Sequence, residues 1–194
     1  MLQILGRGNC YHDVCQMSYM SESAVCQTFH TFCRLFAEEL YDEYIRLPVG
    51  PEHERVMEHY HRVGFTGAVG STDVTHVRWD SCPFSMQRSY TGKEGYPTLA
   101  YQATVDHTGR VLGVTPGFAG AQNDKTIARF DPTIEQVRDN PLYRDKEFSL
   151  RRKDGSLLTV KGNYLIVDNG YHKVRRWGNL CGEYILRNVL HDYE

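Results

Sequence analysis

Apolar residues recur at intervals of three or four along the first part of the chain, which is the spacing of an amphipathic helix. The recurring positions are Val25, Phe29, Phe32, Phe36, Leu40 and Tyr44. A shorter helix is predicted before them over residues 12–20, and Ser21-Glu22-Ser23 predicts a turn and an N-cap between the two. Two helices joined in this way form either a helix-turn-helix or a plain helical hairpin. The pattern alone favours the hairpin, because acidic residues cluster near the helix end at Glu38, Glu39, Asp42 and Glu43.

The pattern changes after a break at residues 47–51 and a further short helical stretch that ends at Val63. An apolar stretch follows over residues 65–71, strands are predicted over 98–105 and 110–115, and a hairpin is predicted over 148–158. Residues 164–167 are continuously apolar, which is typical of a strand buried on both faces. Asn123 is predicted to cap a helix that begins at Asp124. We therefore predict an α/β fold, with a helical segment over residues 1–62 and a mixed-sheet core over 63–194.

Composition narrows the classes of protein to consider. The chain has 194 residues, of which 41% are hydrophobic and 24% charged, and its net charge is −2. These values predict one domain, or one domain with a small appendage. No apolar run approaches the ~20 residues that span a membrane, and residues 1–7 lack the features of a signal peptide. The near-neutral charge argues against a generally basic nucleic-acid coat protein but allows a local basic groove.

The six cysteines predict an intracellular protein with reduced thiols, since no secretory signal accompanies them. Cys26, His30 and Cys33 share one helical face and could form part of a zinc site. No short Cys-x2-Cys pair is present, so small buried side chains are the favoured interpretation.

Three aspartates carry the chemistry that the sequence predicts. Asp73 and Asp168 follow apolar stretches, and Asp124 lies in a glycine-bearing loop after a predicted strand. Each could be an ordinary turn or cap residue. Carboxylates that converge at one edge of a sheet repel each other, and a hard divalent cation with oxygen ligands relieves that repulsion. Two such ions can activate water or a 3′-hydroxyl for attack on a phosphodiester.

The segments around these aspartates resemble the three acidic motifs of the PIF/Harbinger-type DDE transposases, including the plant-transposon-protein branch. The motifs are Gly70-Ser71-Thr72-Asp73-Val74-Thr75-His76, Gly117-Phe118-Ala119-Gly120-Ala121-Gln122-Asn123-Asp124 and Leu165-Ile166-Val167-Asp168-Asn169-Gly170-Tyr171. Their order and spacing fit, and the resemblance covers roughly residues 1–176. It implies an RNase H-like core that follows a helical, often helix-turn-helix-like, segment. It also implies that Asp73, Asp124 and Asp168 are catalytic and hold Mg²⁺ or Mn²⁺.

The resemblance further implies cleavage of DNA phosphodiesters and strand transfer between transposon ends and target DNA. A Myb-like accessory DNA-binding protein is the expected partner, and the nucleus is the expected location, or the cytoplasm in the absence of that partner. The family carries a final glutamate in a later helix, and neither Glu183 nor Glu194 matches its motif. We therefore expect a C-terminally truncated core with doubtful cutting activity. The alternatives are a non-catalytic, domesticated DNA- or protein-binding relic and a decayed gene fragment.

Basic residues are concentrated around the third motif. Residues 144–176 contain nine Lys/Arg and four acids, although the chain as a whole is slightly acidic. The predicted phosphate contacts are Lys173, Arg175 and Arg176, followed by the hairpin residues Arg151, Arg152 and Lys153. A basic and aromatic loop at Arg88, Tyr90, Lys93 and Tyr96 could also approach DNA. Ordinary solvated surface is the alternative for each group. His76 could either steady the metal site or form a structural hydrogen bond.

Overall fold

The computed structural model describes residues 1–152 and 154–168. By their contacts, residues 1–45 and 46–194 form two compact units. The first unit contains three helices, which are α1 (Leu2–Arg7), α2 (Tyr11–Ser18) and α3 (Glu22–Tyr44). The chain turns between α2 and α3 at Tyr19, whose φ of 56° is left-handed, and Ser21 then caps α3 by accepting a hydrogen bond from the Ala24 amide. The predicted pair of helices and its cap are thus confirmed.

The second unit is a mixed α/β structure. Its helices within the described residues are α4 (Pro51–Arg62), α5 (Phe84–Tyr90), α6 (Asp124–Ala128), α7 (Pro132–Asp139) and α8 (Pro141–Arg144). Its strands there are β1 (Ala68–Arg78), β2 (Thr98–Val105), β3 (Val111–Val114), β4 (Phe118–Ala119), β5 (Glu147–Arg151), β6 (Leu157–Lys161) and β7 (Tyr164–Ile166). These elements confirm the predicted α/β class with a mixed sheet and flanking helices. No helix in the described part of the chain is long and apolar enough to cross a membrane.

The main sheet has the strand order β3-β2-β1-β7, and the short strand β4 also pairs with β2. Strand β1 is antiparallel to β2 and parallel to β7. Strands β5 and β6 form a separate antiparallel hairpin. This parallel pair carries two of the three predicted acidic motifs, with Asp73 within β1 and Asp168 two residues after the end of β7.

Burial alternates along the central strands, so the two faces of the sheet differ. Val74 of β1 and Ala100 of β2 pack against Ile127 of α6, and these three residues form one core cluster. Asp73 and Thr75, the neighbours of Val74 along β1, are exposed on the opposite face. Helix α6 therefore packs on one face of strand β1, and the Asp73 carboxylate of the first acidic motif lies on the other face.

Strand β7 is buried as the apolar run predicted. Leu165 belongs to a cluster with Val69 and Leu112, whereas Tyr164 belongs to a second cluster with Ala68. Consecutive residues of a strand point to opposite faces, so these two clusters cover both sides of β7. Burying a strand on both faces makes its position in the sheet strongly specified, which limits where its C-terminal end can lie.

Helix α4 packs on β1 within the second unit. The predicted helical segment over residues 1–62 includes this helix, whereas the division of the chain by contacts falls after Ile45. Helices α5, α7 and α8 were not predicted. The approach of α7 to β3 is close, since a Cβ at Gly113 would lie 1.8 Å from Thr133 Oγ1.

Candidate functional site

The first predicted ligand, Asp73, lies in the middle of β1 and is exposed. Its Oδ1 accepts a hydrogen bond of 2.8 Å from the Val74 amide, which restricts the carboxylate. The residue paired with it on β2 is Ala103, whose side chain is too small to cover an acidic neighbour. Asp73 is thus a restrained carboxylate on an open part of the sheet face.

The third predicted ligand, Asp168, follows β7 and is also exposed. The last paired residues of the parallel strands are Ser71 and Ile166. Asp73 and Asp168 each lie two residues beyond this pair, so the same register, continued, places them side by side on one face. Neighbouring strands are about 4.8 Å apart, a spacing at which two carboxylates can share a cation.

A buried hydrogen-bonded group aligns the start of these two strands. The Asn163 side chain precedes β7 and accepts a hydrogen bond from His53 Nε2 of α4 at 2.9 Å. Its Nδ2 donates to the carbonyl of Gly67, which precedes β1, also at 2.9 Å. Both His53 and Asn163 are about 1% exposed. Burial lowers the pKa of His53, so the neutral imidazole with its proton on Nε2 fits this bond.

This alignment group was not predicted from the sequence. Asn163 follows a glycine and looks like a turn residue, and His53 lies in a helix that is far away along the chain. Only the fold brings α4, β1 and β7 together at these side chains. No signal in one sequence distinguishes such a histidine from a solvent-facing one.

The second predicted ligand, Asp124, is the first residue of α6 and is partly exposed. Asn123 caps this helix, as predicted, by accepting a hydrogen bond from the Lys125 amide. The nearest cation that pairs with Asp124 is Lys93, whose Nζ lies 4.0 Å from Oδ2. Helix α6, which begins at Asp124, packs through Ile127 on the sheet face opposite to the Asp73 side chain.

The register of β1 and β7, continued past its last pair, thus brings Asp73 and Asp168 together, whereas Asp124 begins a helix that packs on the other face of the sheet. Within residues 1–152 and 154–168, no group of three or more His, Cys, Asp or Glu side chains is arranged to hold a metal ion. The residues that could hold a divalent cation are Asp73 and Asp168, which offer oxygen ligands of the kind that Mg²⁺ and Mn²⁺ prefer.

His76 lies three residues after Asp73 and therefore points to the other face of β1. Its Nδ1 is 3.0 Å from Thr98 Oγ1 on the neighbouring strand. Its Nε2 is buried and has no hydrogen-bond partner among the described residues. Of the two interpretations, the geometry favours a structural hydrogen bond between β1 and β2.

Ion pairs neutralise much of the basic segment that precedes the third motif. Asp145 pairs with Arg144 at 2.8 Å and with Lys161 at 3.1 Å, and these two bonds lower the pKa of Asp145 to about 2. Lys146 pairs with Glu54 of α4. Arg151 and Arg152 are exposed near the hairpin tip, and neither forms a salt bridge with another described residue.

Several predicted contacts cannot be placed. Lys153, Lys173, Arg175 and Arg176 lie outside the described residues. Their assignment to DNA stays a prediction. Within the described structure, Arg151 and Arg152 are the members of the basic group that combine exposure with a place on a projecting hairpin.

The comparison with known families decides the ancestry of the chain. The sequence model of the family described as "Plant transposon protein" matches residues 42–143, which is just over half of the chain. The chain belongs to the plant transposon protein family. The matched region of this plant transposon protein includes Asp73 and Asp124 and ends before Asp168. No curated protein and no solved structure matched the sequence.

Proposed function

We propose that this plant transposon protein is a DNA endonuclease or transposase domain of the PIF/Harbinger type with an RNase H-like core. The observation that supports this function best is the register of β1 and β7, which aligns Asp73 with Asp168 on one open face. A structural salt bridge or helix cap would account for one exposed aspartate. It would not account for two at matching positions of a parallel pair, one within β1 and one just after β7.

Asp73 and Asp168 are the residues that would hold Mg²⁺ or Mn²⁺. A bound cation of this kind activates water and stabilises the leaving oxygen of a phosphodiester. The Val74 amide keeps Oδ1 of Asp73 in place, and the small Ala103 leaves the carboxylate open to a ligand. Asp124 stays a predicted third ligand, and its place across the sheet leads us to expect a smaller contribution from it.

Metal titration of the purified chain tests this assignment. We expect Mn²⁺ binding in a calorimeter, and at least a tenfold loss of affinity in Asp73→Asn and in Asp168→Asn. Asp139→Asn is the matched control, because Asp139 is an exposed aspartate at the end of α7 with its own arginine partner. Asp124→Asn is expected to lie between these variants. Equal Mn²⁺ affinity in the wild type and in Asp73→Asn would rule out the proposed site.

Nicking of supercoiled plasmid DNA in the presence of Mn²⁺ tests the chemistry. We expect open circles with the wild type and none with Asp73→Asn. A metal chelator should abolish nicking by the wild type. Equal nicking by both proteins would show that the activity comes from a contaminant or another site.

A non-catalytic DNA-binding protein is the second candidate. Its support is that no third ligand joins Asp73 and Asp168 within the described residues. This function predicts Mn²⁺ and DNA binding without nicking, whereas the endonuclease predicts all three. A decayed gene fragment predicts neither binding nor nicking.

The expected partner and location also follow from the proposed function. DNA, both transposon ends and target, is the substrate, and a Myb-like DNA-binding protein is the accessory factor. We expect the tagged chain to accumulate in the nucleus when that factor is co-expressed. An unchanged distribution with and without the factor would argue against this dependence.

A further inference from the structure

Helix α5 projects from the connection between β1 and β2. Six of its seven residues are exposed, and the exception is Tyr90 at its end. Phe84 at the start of the helix is 90% exposed, although it is a large aromatic residue. Met86 beside it is also exposed. A short helix gains little stability in water by exposing such side chains, so this exposure calls for an explanation.

The residues on either side of α5 are packed against each other, and these contacts fix the two ends of the connection that carries the helix. Trp79 and Tyr90 meet edge to face with ring centroids 4.9 Å apart, and the Arg78 guanidinium lies 5.0 Å above the ring of Tyr96. The backbone at Gly92 passes so close to Gly120 that a Cβ there would lie 2.3 Å from the Gly120 carbonyl oxygen. Tyr90 and Tyr96, two of the aromatic residues that the sequence suggested for DNA stacking, are thus engaged in internal contacts.

The charge on α5 indicates its ligand. Between Asp80 and Glu94 the segment holds two basic residues, of which Lys93 pairs with Asp124 and Arg88 lies on α5 itself. Arg88 is exposed and forms no salt bridge within the part of the chain that the structure describes. Ser85 and Gln87 add exposed hydrogen-bond donors on the same helix. An exposed aromatic side chain on the same short helix as an arginine and neutral donors is a combination that proteins use on the DNA backbone and in the minor groove.

We propose that α5 docks on duplex DNA, with Phe84 inserted between base pairs as a wedge and Arg88 on a neighbouring phosphate. This proposal takes DNA as the ligand from the proposed function, but it requires no metal and no cleavage. Strand β1 runs five residues from Asp73 to Arg78, which is about 17 Å at 3.3 Å per residue. One duplex can therefore reach both α5 and the acidic pair, since this length is about half a turn of B-DNA.

Fluorescence anisotropy with a labelled duplex, in EDTA and with the full chain, measures the binding. Stacking of one base on an aromatic residue is worth enough that Phe84→Ala should weaken binding on the order of tenfold. Leu157→Ala is the matched control, since Leu157 is 68% exposed on the separate β5-β6 hairpin, and we expect less than a twofold change. Arg88→Gln should reduce the slope of log affinity against log salt by about one, whereas Arg55→Gln on α4 should leave it unchanged.

Insertion has its own readout. A duplex that contains 2-aminopurine should become more fluorescent when the wild type binds, because the wedge unstacks the base. Phe84→Ala should bind with little increase. Circular dichroism should show the same melting curve for Phe84→Ala and the wild type, since an exposed ring adds little to the folded core.

Three results would overturn the proposal. The first is equal DNA affinity in Phe84→Ala, Leu157→Ala and the wild type. The second is a wild type that binds DNA without any 2-aminopurine response. The third is a change from dimer to monomer in Phe84→Ala with unchanged DNA binding, which would make α5 a self-association surface. DNA binding that depends on α5 but occurs without nicking would instead refute the endonuclease and leave this proposal standing.

Discussion

Asn163 offers the sharpest test of how the fold aligns the acidic pair. Asn163→Ala removes the acceptor for His53 Nε2 and the donor to the Gly67 carbonyl, both at 2.9 Å. Gly67 keeps a second partner, the Tyr164 amide at 3.3 Å, whereas the His53 N–H stays buried without one. A buried N–H group without an acceptor lowers the free energy of unfolding by about 1–3 kcal/mol, and loss of the second hydrogen bond lowers it by about 1 kcal/mol more. We therefore expect the free energy of unfolding to fall by about 2–4 kcal/mol.

Urea denaturation followed by circular dichroism measures this loss. Asn9→Ala is the control, because the Asn9 side chain forms no hydrogen bond to another described residue, and its effect should stay within about 0.5 kcal/mol. The double-mutant cycle with His53→Ala should give a coupling energy of about 1–2 kcal/mol. A cost below about 1 kcal/mol for Asn163→Ala, or additive single effects, would refute the reasoning.

The same variant links stability to the proposed site. Asn163 lies directly before β7, and its bond to Gly67 holds the starts of β7 and β1 together. Loss of that bond should loosen the alignment of Asp73 and Asp168 at the other end of the pair. We expect weaker Mn²⁺ binding in Asn163→Ala than in Asn9→Ala, at a temperature where both proteins are folded. Equal affinity would separate the alignment group from the metal site.

Three further predictions concern the folded core. Burial lowers the pKa of His53, so the unfolded chain takes up the proton first as the pH falls below about 6.5; the free energy of unfolding should therefore decline from pH 7.5 to 5.5, and less steeply in His53→Gln. Ile127→Ala should cost about 2–5 kcal/mol in urea denaturation, because Ile127 is fully buried, whereas Leu157→Ala should cost less than about 0.5 kcal/mol. Gly113→Ala should lower the melting temperature by several degrees, because its Cβ would overlap Thr133 Oγ1, and Gly113→Ala combined with Thr133→Ala should recover part of the loss. Parallel pH curves for His53→Gln and the wild type, a mild Ile127→Ala, or a Gly113→Ala that melts like the wild type would each contradict its prediction.

Local signals in the sequence were sufficient for several elements. The alternation and β-forming side chains of residues 98–105 predict β2 at the bounds that the structure shows. Ser21 and Asn123 act as the predicted caps, because a side-chain oxygen that accepts from a nearby amide needs only its own neighbours. The apolar run of residues 164–167 also predicted a strand buried on both faces, since such burial leaves no polar position.

Other elements depended on contacts that no short stretch of sequence contains. Helix α5 has no apolar periodicity, and its base is held by Trp79, which lies before it in the chain. The basic excess around residues 144–161 looked like one charged surface, but Glu54 and Asp145 pair with several of its members. A count of charges within one segment does not detect an ion pair with a helix that is distant in the sequence.

The sequence by itself determined the α/β class, the transposon ancestry and the three acidic motifs, because periodicity, capping and motif spacing are local properties of the chain. The tertiary structure decided which motifs can act together. The parallel register of β1 and β7 aligns Asp73 with Asp168, whereas α6 carries Asp124 on the other face of the sheet. The physical reason is that side chains alternate across a strand and that strand pairing, not distance along the chain, determines which ends become neighbours.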